Sequence, residues 1–394
     1  MAQGSAAEPL LAALEQVFNG RASALLPTPA GADRRATLAA LRVGEAIDDD
    51  IALVVTTSGT TGAPKGALLT AAALRASATA THDRLGGPGR WLLALPAYHI
   101  AGVQVLVRSL LADTVPVELD VSNGFDISEL PSAVKELGSG RRYTALVAAQ
   151  LAKALTEPAA TAALAELDAV LIGGGPAPQP ILDAAASAGI TVVRTYGMSE
   201  TAGGCVYDGV PLHGVRLRVD ADGRIVIGGP TLANGYRNPP DPDPFAEPGW
   251  FRTDDIGAID DSGVLSVLGR ADEAISTGGL TVLPQPVEAA LRTHPAVADC
   301  AVFGLADERL GQRVAAAIVV ADGYAPPSLE TLRAHVVQNL DRTAAPRELH
   351  IVDALPMRSI GKVDRQALAR QVRKTVALEG DVRVSSRGCQ DRVT

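Results

Sequence analysis

Short apolar and β-branched runs alternate with Ala- and Leu-rich stretches over the first half of the chain. The runs predict strands at 51–56, 91–95, 114–119, 144–147, 168–172 and 191–194. The stretches between them predict helices at 70–80, 100–112, 149–156 and 177–188. Alternation of this kind indicates a parallel sheet covered by helices.

The pattern changes twice further along the chain. After about residue 205 the helical stretches stop, and three strand-like runs at 215–219, 224–227 and 264–268 predict a β-rich subdomain. After Gly269 comes a compact α/β unit, with helices at 286–293 and 329–340 and strands at 299–303, 315–320 and 348–352. The predicted fold class is therefore α/β, with a large N-terminal domain and a small C-terminal domain.

These shifts predict four segments. Residues 1–50 form an irregular lead-in, 51–269 a nucleotide-binding domain, 270–375 the C-terminal domain and 376–394 a loose tail.

Charge and composition then exclude several classes of protein. The 394 residues carry a formal charge of -9, which argues against a nucleic-acid partner. No apolar run is long enough for a membrane span, and the acidic N-terminus is unlike a secretory signal. The three scattered cysteines suggest a reducing compartment, so we expect a cytoplasmic protein. Only five of the 35 basic residues are lysines, which gives each lysine added interest.

The segment 56–66 is rich in glycine and hydroxyl side chains and contains Lys65. It follows a predicted strand and is expected to precede a helix. Glycines allow backbone N–H groups to surround an anion, and the hydroxyls and the lysine add donors and charge. The segment predicts a polyphosphate site, although Pro64 and Gly66 depart from the Walker pattern. The residues assigned to the site are Thr57, Ser58, Gly59, Thr60, Thr61, Gly62 and Lys65.

Six further motifs follow in a fixed order. They are Gly173-Gly174-Gly175-Pro176, Tyr196-Gly197-Met198-Ser199-Glu200-Thr201, Trp250-Phe251-Arg252-Thr253-Asp254-Asp255, Gly269-Arg270-Ala271-Asp272, Ser276-Thr277-Gly278-Gly279 and Arg358-Ser359-Ile360-Gly361-Lys362-Val363-Asp364-Arg365. Together with 56–66 they resemble the acyl-adenylate-forming superfamily of acyl-CoA synthetases. Within it, the chain is most similar to the short actinobacterial o-succinylbenzoate–CoA ligases of menaquinone biosynthesis.

The resemblance implies ATP, Mg²⁺ and CoA as cofactor and co-substrates. It implies that Tyr196 stacks on adenine, Thr201 binds the α-phosphate, and Glu200 holds magnesium. Taken alone, Glu200 could instead be a carboxylate at a helix start. The other implied nucleotide contacts are Gly173, Gly174, Gly175, Gly197, Met198 and Ser199.

The resemblance implies that the later motifs bind ribose and CoA and include the hinge of a mobile domain. Asp255 and Arg270 would bind the ribose. Because Asp254 is adjacent to Asp255, the motif leaves open which of the two acids faces the ribose. Asp272 would be the hinge of a mobile C-terminal domain, and Gly278 and Gly279 would line the pantetheine tunnel, although Leu280 stands where the family often has Glu. Lys362 would be the catalytic lysine of adenylation, joined in catalysis by Lys65 and His99.

The acyl substrate is expected beside 96–102, where His99 opens an apolar segment. Ser199 is also assigned to this substrate. Arg108 is the one charge among Val, Leu and Ala, and a buried guanidinium needs an anion. A protein carboxylate or snorkelling to the surface could satisfy it. The other interpretation is that Arg108 binds the second carboxylate of a dicarboxylic substrate.

The predicted function is ATP-dependent adenylation of o-succinylbenzoate followed by transfer of the acyl group to CoA. Other aromatic or aliphatic acids, a stand-alone acyl-AMP ligase and an inactive nucleotide-binding regulator remain alternatives. Because the phosphate segment comes early in the chain, the N-terminal subdomain must be reduced, and a homodimer could supply the missing scaffold.

Overall fold

A computed structural model describes residues 7–29, 34–57, 64–359 and 362–372. The chain divides into two compact units. Of the described residues, the first unit holds those up to 253 and 257–266, and the second holds 254–256 and those from 267 onward. No helix in these ranges is both long and apolar enough to cross a membrane.

The first unit begins with two helices and a two-stranded hairpin. These elements are α1 (Ala7–Phe18), α2 (Arg34–Ala40), β1 (Ile51–Thr57) and β2 (Lys65–Thr70). The irregular lead-in predicted for 1–50 is therefore wrong. The signal was present, since Leu10, Leu14 and Val17 recur at helical spacing and Leu14 is fully buried.

The phosphate segment joins the two antiparallel strands of this hairpin. The expectation that a helix follows it directly is wrong, because Lys65 begins β2 and the next helix starts only at Ala71. The hairpin forms a sheet of its own, so the run at 51–56 is a strand but does not belong to the parallel sheet.

The elements that follow alternate between helix and strand. They are α3 (Ala71–Arg84), β3 (Arg90–Leu93), α4 (Ile100–Leu111), β4 (Val117–Glu118), α5 (Leu130–Glu136), β5 (Arg142–Val147), α6 (Ala148–Ala154), α7 (Pro158–Ala165), β6 (Ala169–Gly173), α8 (Gln179–Ser187), β7 (Val192–Met198), β8 (Gly203–Tyr207) and β9 (Val210–Pro211). Their strands form one sheet in the order β4-β3-β5-β6-β7-β8-β9. Strands β3 to β7 pair in parallel, which confirms the predicted α/β fold, and β8 and β9 add antiparallel.

The parallel strands are buried on both faces. Leu92 and Leu146 pack into one hydrophobic cluster, whereas Trp91, Leu93 and Tyr143 pack into the cluster on the other face. Continuous apolar runs are what such doubly covered strands require, and this is why the sequence revealed them. Two helices of the covering layers, α5 and α7, were not predicted.

The β-rich part is a four-stranded sheet. Its strands in spatial order are β10 (Arg216–Val219), β11 (Arg224–Gly228), β12 (Trp250–Ile259) and β13 (Leu265–Arg270). Strand β12 was missed, because its buried positions include the polar residues Thr253 and Asp255. The division between the two units falls within β12 and β13.

The second unit contains β14 (Ile275–Thr277), β15 (Leu280–Val282), α9 (Pro284–Arg292), β16 (Val297–Asp307), β17 (Gly311–Val320), α10 (Leu329–Val337), β18 (Glu348–Ile351), β19 (Met357–Ser359) and β20 (Lys362–Val363). Its main sheet has the order β15-β14-β17-β16, with β18 parallel to β17. Cys300 and Val302 pack on one face, and Ala301 and Phe303 pack on the other. The tail at 376–394 lies outside the described residues, and the predicted domain boundaries and the hinge stay predictions.

Candidate functional site

The phosphate segment is framed by a pair of residues on neighbouring strands. Thr57 ends β1 and lies opposite Lys65, the first residue of β2. Ser58, Gly59, Thr60, Thr61 and Gly62 lie outside the described residues.

Several predicted site residues follow the carboxyl ends of the parallel strands. Gly173 ends β6, Tyr196 to Met198 end β7, and His99 lies between β3 and α4. Because the ends of parallel strands meet at one edge of a sheet, these residues share that edge. A Cβ on Gly173 would lie 2.5 Å from the Thr195 side-chain hydroxyl, and Gly174 has φ +80, a backbone conformation that favours glycine.

A tight turn after β7 carries Glu200. The side chain of Glu200 is buried, and the next residues run through a left-handed Ala202 with φ +51. The amide of Gln104 on α4 donates to the Ala202 carbonyl at 2.8 Å. This contact, which was not predicted, fastens the turn to helix α4.

Thr201 forms part of this turn, and its expected phosphate contact stays a prediction. Its fully buried hydroxyl lies 2.7 Å from the Gly203 carbonyl and accepts from the Met198 N–H at 3.0 Å. A hydroxyl has one proton to donate, and here it closes the turn. Ser199 is the remaining hydroxyl of the motif.

Tyr236 connects two of the predicted residues. Its hydroxyl donates to Glu200 Oε1 at 2.6 Å, and Lys65 Nζ lies 5.4 Å from the centroid of its ring. Tyr236 is not among the residues predicted from the sequence, because it lies in a loop without periodicity and contacts Glu200 only in the folded chain. An aromatic residue within Gly235-Tyr236-Arg237-Asn238 was the available signal, since loops often carry function.

The residues present fit a magnesium ion that relies on substrate for most of its ligands. Within the described ranges, no group of three or more His, Cys, Asp or Glu side chains is placed so that it could hold a metal ion by itself. Glu200 offers one carboxylate, and magnesium in nucleotide sites commonly uses one or two carboxylates together with phosphate oxygens.

Arg108 lies in the last turn of α4 with 3% of its surface exposed. Its Nη2 donates to the Tyr207 hydroxyl at 3.3 Å, and its guanidinium carbon lies 4.9 Å from the centroid of the Trp91 ring. Its Nε is buried without a hydrogen-bond partner, and no described carboxylate forms an ion pair with it. Burial lowers the pKa of Arg108, with a smaller opposing effect from Tyr207. Arg108 therefore neither snorkels nor pairs with an acid of the described chain.

His82 shares this buried environment. Burial first, and then the charge of Arg108, lower the pKa of His82 to about 4. Its Nε2 is also buried without a partner among the described residues. The imidazole is therefore neutral at physiological pH, and Arg108 carries the positive charge of this buried pair.

The second unit contains the predicted ribose residues. Arg270 forms two bonds of 2.9 Å with Asp272 and longer ones to Asp255 (3.4 Å) and Asp254 (3.5 Å). Burial alone would lower the pKa of Arg270, but the bonds and charges of these acids outweigh it and raise the pKa. Asp255 is mostly buried and Asp254 is exposed, in keeping with their alternation along β12.

The remaining predicted residues also lie in the second unit. Gly278 and Gly279 have φ +59 and +82 and form the two-residue turn between β14 and β15, a conformation that favours glycine. Lys362 begins β20, where it pairs with Ser359 of β19.

Comparisons with known proteins agree with this arrangement. Residues 24–237 match the family "AMP-binding enzyme", and 286–362 match its C-terminal domain. The chain is 76% identical over 370 residues to a Mycobacterium tuberculosis protein named probable 2-succinylbenzoate–CoA ligase, covering 93% of this chain and 96% of that protein.

Two solved structures of o-succinylbenzoate CoA synthetase from Bacillus subtilis are also similar. One holds the acyl-adenylate OSB-AMP, with a TM-score of 0.70, 29% identity, and coverage of 82% of this chain and 72% of that one. The other holds ATP and magnesium, with a TM-score of 0.69, 28% identity, and coverage of 82% and 73%. From the matched family and these similarities, we conclude that the chain belongs to the AMP-binding enzyme family.

Proposed function

We propose that this chain is a ligase that adenylates o-succinylbenzoate and transfers the acyl group to CoA. The observation that carries this proposal is the 76% identity, over nearly the whole of both chains, to the relative named probable 2-succinylbenzoate–CoA ligase. The B. subtilis complexes, with OSB-AMP in one and with ATP and magnesium in the other, support the same chemistry.

The buried Arg108 supports a substrate with two carboxylates. One carboxylate of o-succinylbenzoate, on the succinyl chain, is activated, and the one on the ring stays free. A guanidinium binds a carboxylate through two parallel hydrogen bonds, and Arg108 has an unpartnered buried Nε to offer. Helix α4 places Arg108 about 14 Å along its axis from His99, at the far end of the helix from the sheet edge. We infer that Arg108 forms the floor of the acyl pocket.

In the first step, the succinyl carboxylate attacks the α-phosphorus of ATP, and the bond to the β-phosphate breaks to release pyrophosphate. The protein supplies no nucleophile, so positioning and charge neutralisation must provide the catalysis. We assign Lys65 to the polyphosphate, Thr201 to the α-phosphate, and Lys362 to the charge that develops between carboxylate and phosphate. Bound magnesium would neutralise phosphate charge, and Glu200 is the residue that would hold it.

In the second step, the CoA thiol attacks the acyl carbonyl and AMP leaves. We propose that the C-terminal domain rotates about Asp272 between the steps, which withdraws Lys362 and brings the Gly278–Gly279 turn to the pantetheine. Asp255 and Arg270 are assigned to the ribose.

Product analysis by mass spectrometry tests the function. With o-succinylbenzoate, ATP, magnesium and CoA, we expect o-succinylbenzoyl-CoA, AMP and pyrophosphate. Without CoA, we expect acyl-AMP that stays on the protein. Acyl-AMP in both mixtures, with no CoA ester, would favour an acyl-AMP ligase instead.

The expected homodimer and cytoplasmic location remain predictions. Light scattering on the purified chain tests the first, and cell fractionation tests the second. Within the first unit, Arg237 donates to the carbonyls of Ala46, Glu45 and Arg42, so part of the N-terminal region is held by the chain itself.

A further inference from the structure

Tyr236 touches two groups of opposite charge through different parts of its side chain. The hydroxyl donates to the Glu200 carboxylate at 2.6 Å, while the ring lies 5.4 Å from the Lys65 ammonium. Within the described part of the chain, Lys65 forms no ion pair with a carboxylate. The tyrosine therefore provides each charge with a partner of its own.

The position of the ring relative to Lys65 is fixed by backbone contacts. Tyr236 forms a β-bridge with Ala67 of β2, and the next residue, Arg237, donates its N–H to the Gly66 carbonyl at 2.7 Å. Phe245 packs edge-on against the tyrosine ring, with 5.4 Å between the centroids. The strand that begins with Lys65 is thus paired with β1 on one edge and with the tyrosine loop on the other.

Asn238 strengthens the same attachment. Its side-chain amide donates to the Pro64 carbonyl at 2.8 Å, and its oxygen accepts from the Gly66 N–H at 3.1 Å. One side chain therefore holds the backbone on both sides of Lys65. Segment 236–238 sets the place of the lysine, and Tyr236 also sets the direction of the Glu200 carboxylate.

Opposite charges in a partly buried site attract each other strongly. If Lys65 and Glu200 paired, the pair would have to break before a polyphosphate and its cation could bind. A charge-assisted hydrogen bond from the tyrosine hydroxyl fixes the orientation of the Glu200 carboxylate, and a cation–π contact holds the Lys65 ammonium without a carboxylate counter-ion.

We propose that Tyr236 is a positioning residue that keeps Lys65 and Glu200 apart and oriented for magnesium-bound ATP. The proposal rests on the proposed function, in which Lys65 binds phosphate and Glu200 binds magnesium.

Two substitutions separate the two parts of the side chain. Tyr236→Phe removes the hydroxyl and keeps the ring, so we expect the magnesium concentration for half-maximal ATP binding to rise roughly tenfold. Its ATP affinity without metal should stay unchanged. Tyr236→Leu also removes the ring, so ATP affinity should fall both with and without metal. Calorimetry of ATP binding without an acid substrate measures all of these quantities in the absence of turnover.

Tyr143→Phe is a matched control. Its hydroxyl lies within hydrogen-bond distance of the carbonyls of Leu85 (3.2 Å) and Gly87 (3.0 Å), and the residue lies near the start of β5, away from the sheet edge that carries the site. We expect its metal dependence to equal that of the wild type. If Tyr143→Phe raised the magnesium concentration for half-maximal ATP binding as much as Tyr236→Phe does, the effect would not be specific to Tyr236. That result would overturn the proposal.

Glu200→Gln distinguishes failure of the inference from failure of the function. A shifted metal dependence in Glu200→Gln together with an unchanged one in Tyr236→Phe overturns the role of Tyr236 and leaves the magnesium role of Glu200 intact. An unchanged metal dependence in Glu200→Gln overturns the role of Glu200 and the inference with it. Thermal unfolding of each variant confirms that folded protein is compared.

Discussion

Replacing Arg108 by methionine should change which acids the enzyme accepts. The guanidinium is almost fully buried, and its described contacts are the Tyr207 hydroxyl and the Trp91 ring, neither of which carries a formal charge. A dicarboxylic substrate would supply the missing anion. Removing one partner of a buried charge pair costs about 3 kcal/mol, which corresponds to roughly a hundredfold loss in affinity.

The assay compares two acids in pyrophosphate release. For o-succinylbenzoate, Arg108→Met should raise KM by about a hundredfold. For 4-oxo-4-phenylbutanoate, which lacks the ring carboxylate, KM should stay within about threefold of the wild type, because the bond in question is never made. The KM for ATP should be unchanged with either acid. Arg108→Lys keeps the charge and loses the planar guanidinium. Its KM for o-succinylbenzoate should therefore lie between the values of the wild type and of Arg108→Met.

The same substitution makes a prediction about stability. A desolvated cation without a counter-ion destabilises the folded chain, so Arg108→Met should unfold at the same temperature as the wild type or at a higher one. Equal increases in KM for both acids, together with a lower unfolding temperature, would refute the reasoning and make Arg108 a structural residue.

Two further results are expected. Lys362→Ala should abolish pyrophosphate release and spare thioester formation from supplied acyl-AMP, and equal loss of both half-reactions would contradict domain alternation. The pKa of His82 is about 4 in the folded chain and about 6.5 in the unfolded chain, so the unfolded state binds more protons between these values and stability falls as pH drops through that window. Between pH 7 and pH 5 this one group should lower the free energy of unfolding by about 2 kcal/mol. The free energy of unfolding of His82→Gln, measured with urea, should depend correspondingly less on pH. An identical pH dependence in the variant would contradict the burial argument.

Most of the fold could be predicted because the parallel strands are buried on both faces and read as apolar runs. The α/β class, the family and the ligase activity predicted from the sequence are confirmed by the comparisons. Strand β12 escaped notice because Thr253 and Asp255 occupy its inward positions. Strand β2 was not predicted, and a helix was expected in its place. Its antiparallel pairing with β1 is a tertiary contact that the local sequence pattern does not show.

The site was predictable where a motif is continuous in sequence and unpredictable where the fold assembles it. Lys65 and Glu200 each stand in a recognisable motif, but Tyr236, 36 residues after Glu200, is brought to both by strand pairing. For Thr201, the motif suggested a ligand contact but not the structural contact that its hydroxyl makes with the Gly203 carbonyl in the turn. The individual roles of the site residues stay predictions.

Pyrophosphate release measured over a panel of carboxylic acids, with and without CoA, tests the central claim most directly. We predict strong release with o-succinylbenzoate that depends on CoA for continued turnover, and weak release with monocarboxylic acids. Stronger turnover on another acid would preserve the chemistry and contradict the proposed substrate. ATP binding without pyrophosphate release on any acid would contradict the ligase activity and favour a nucleotide-binding regulator.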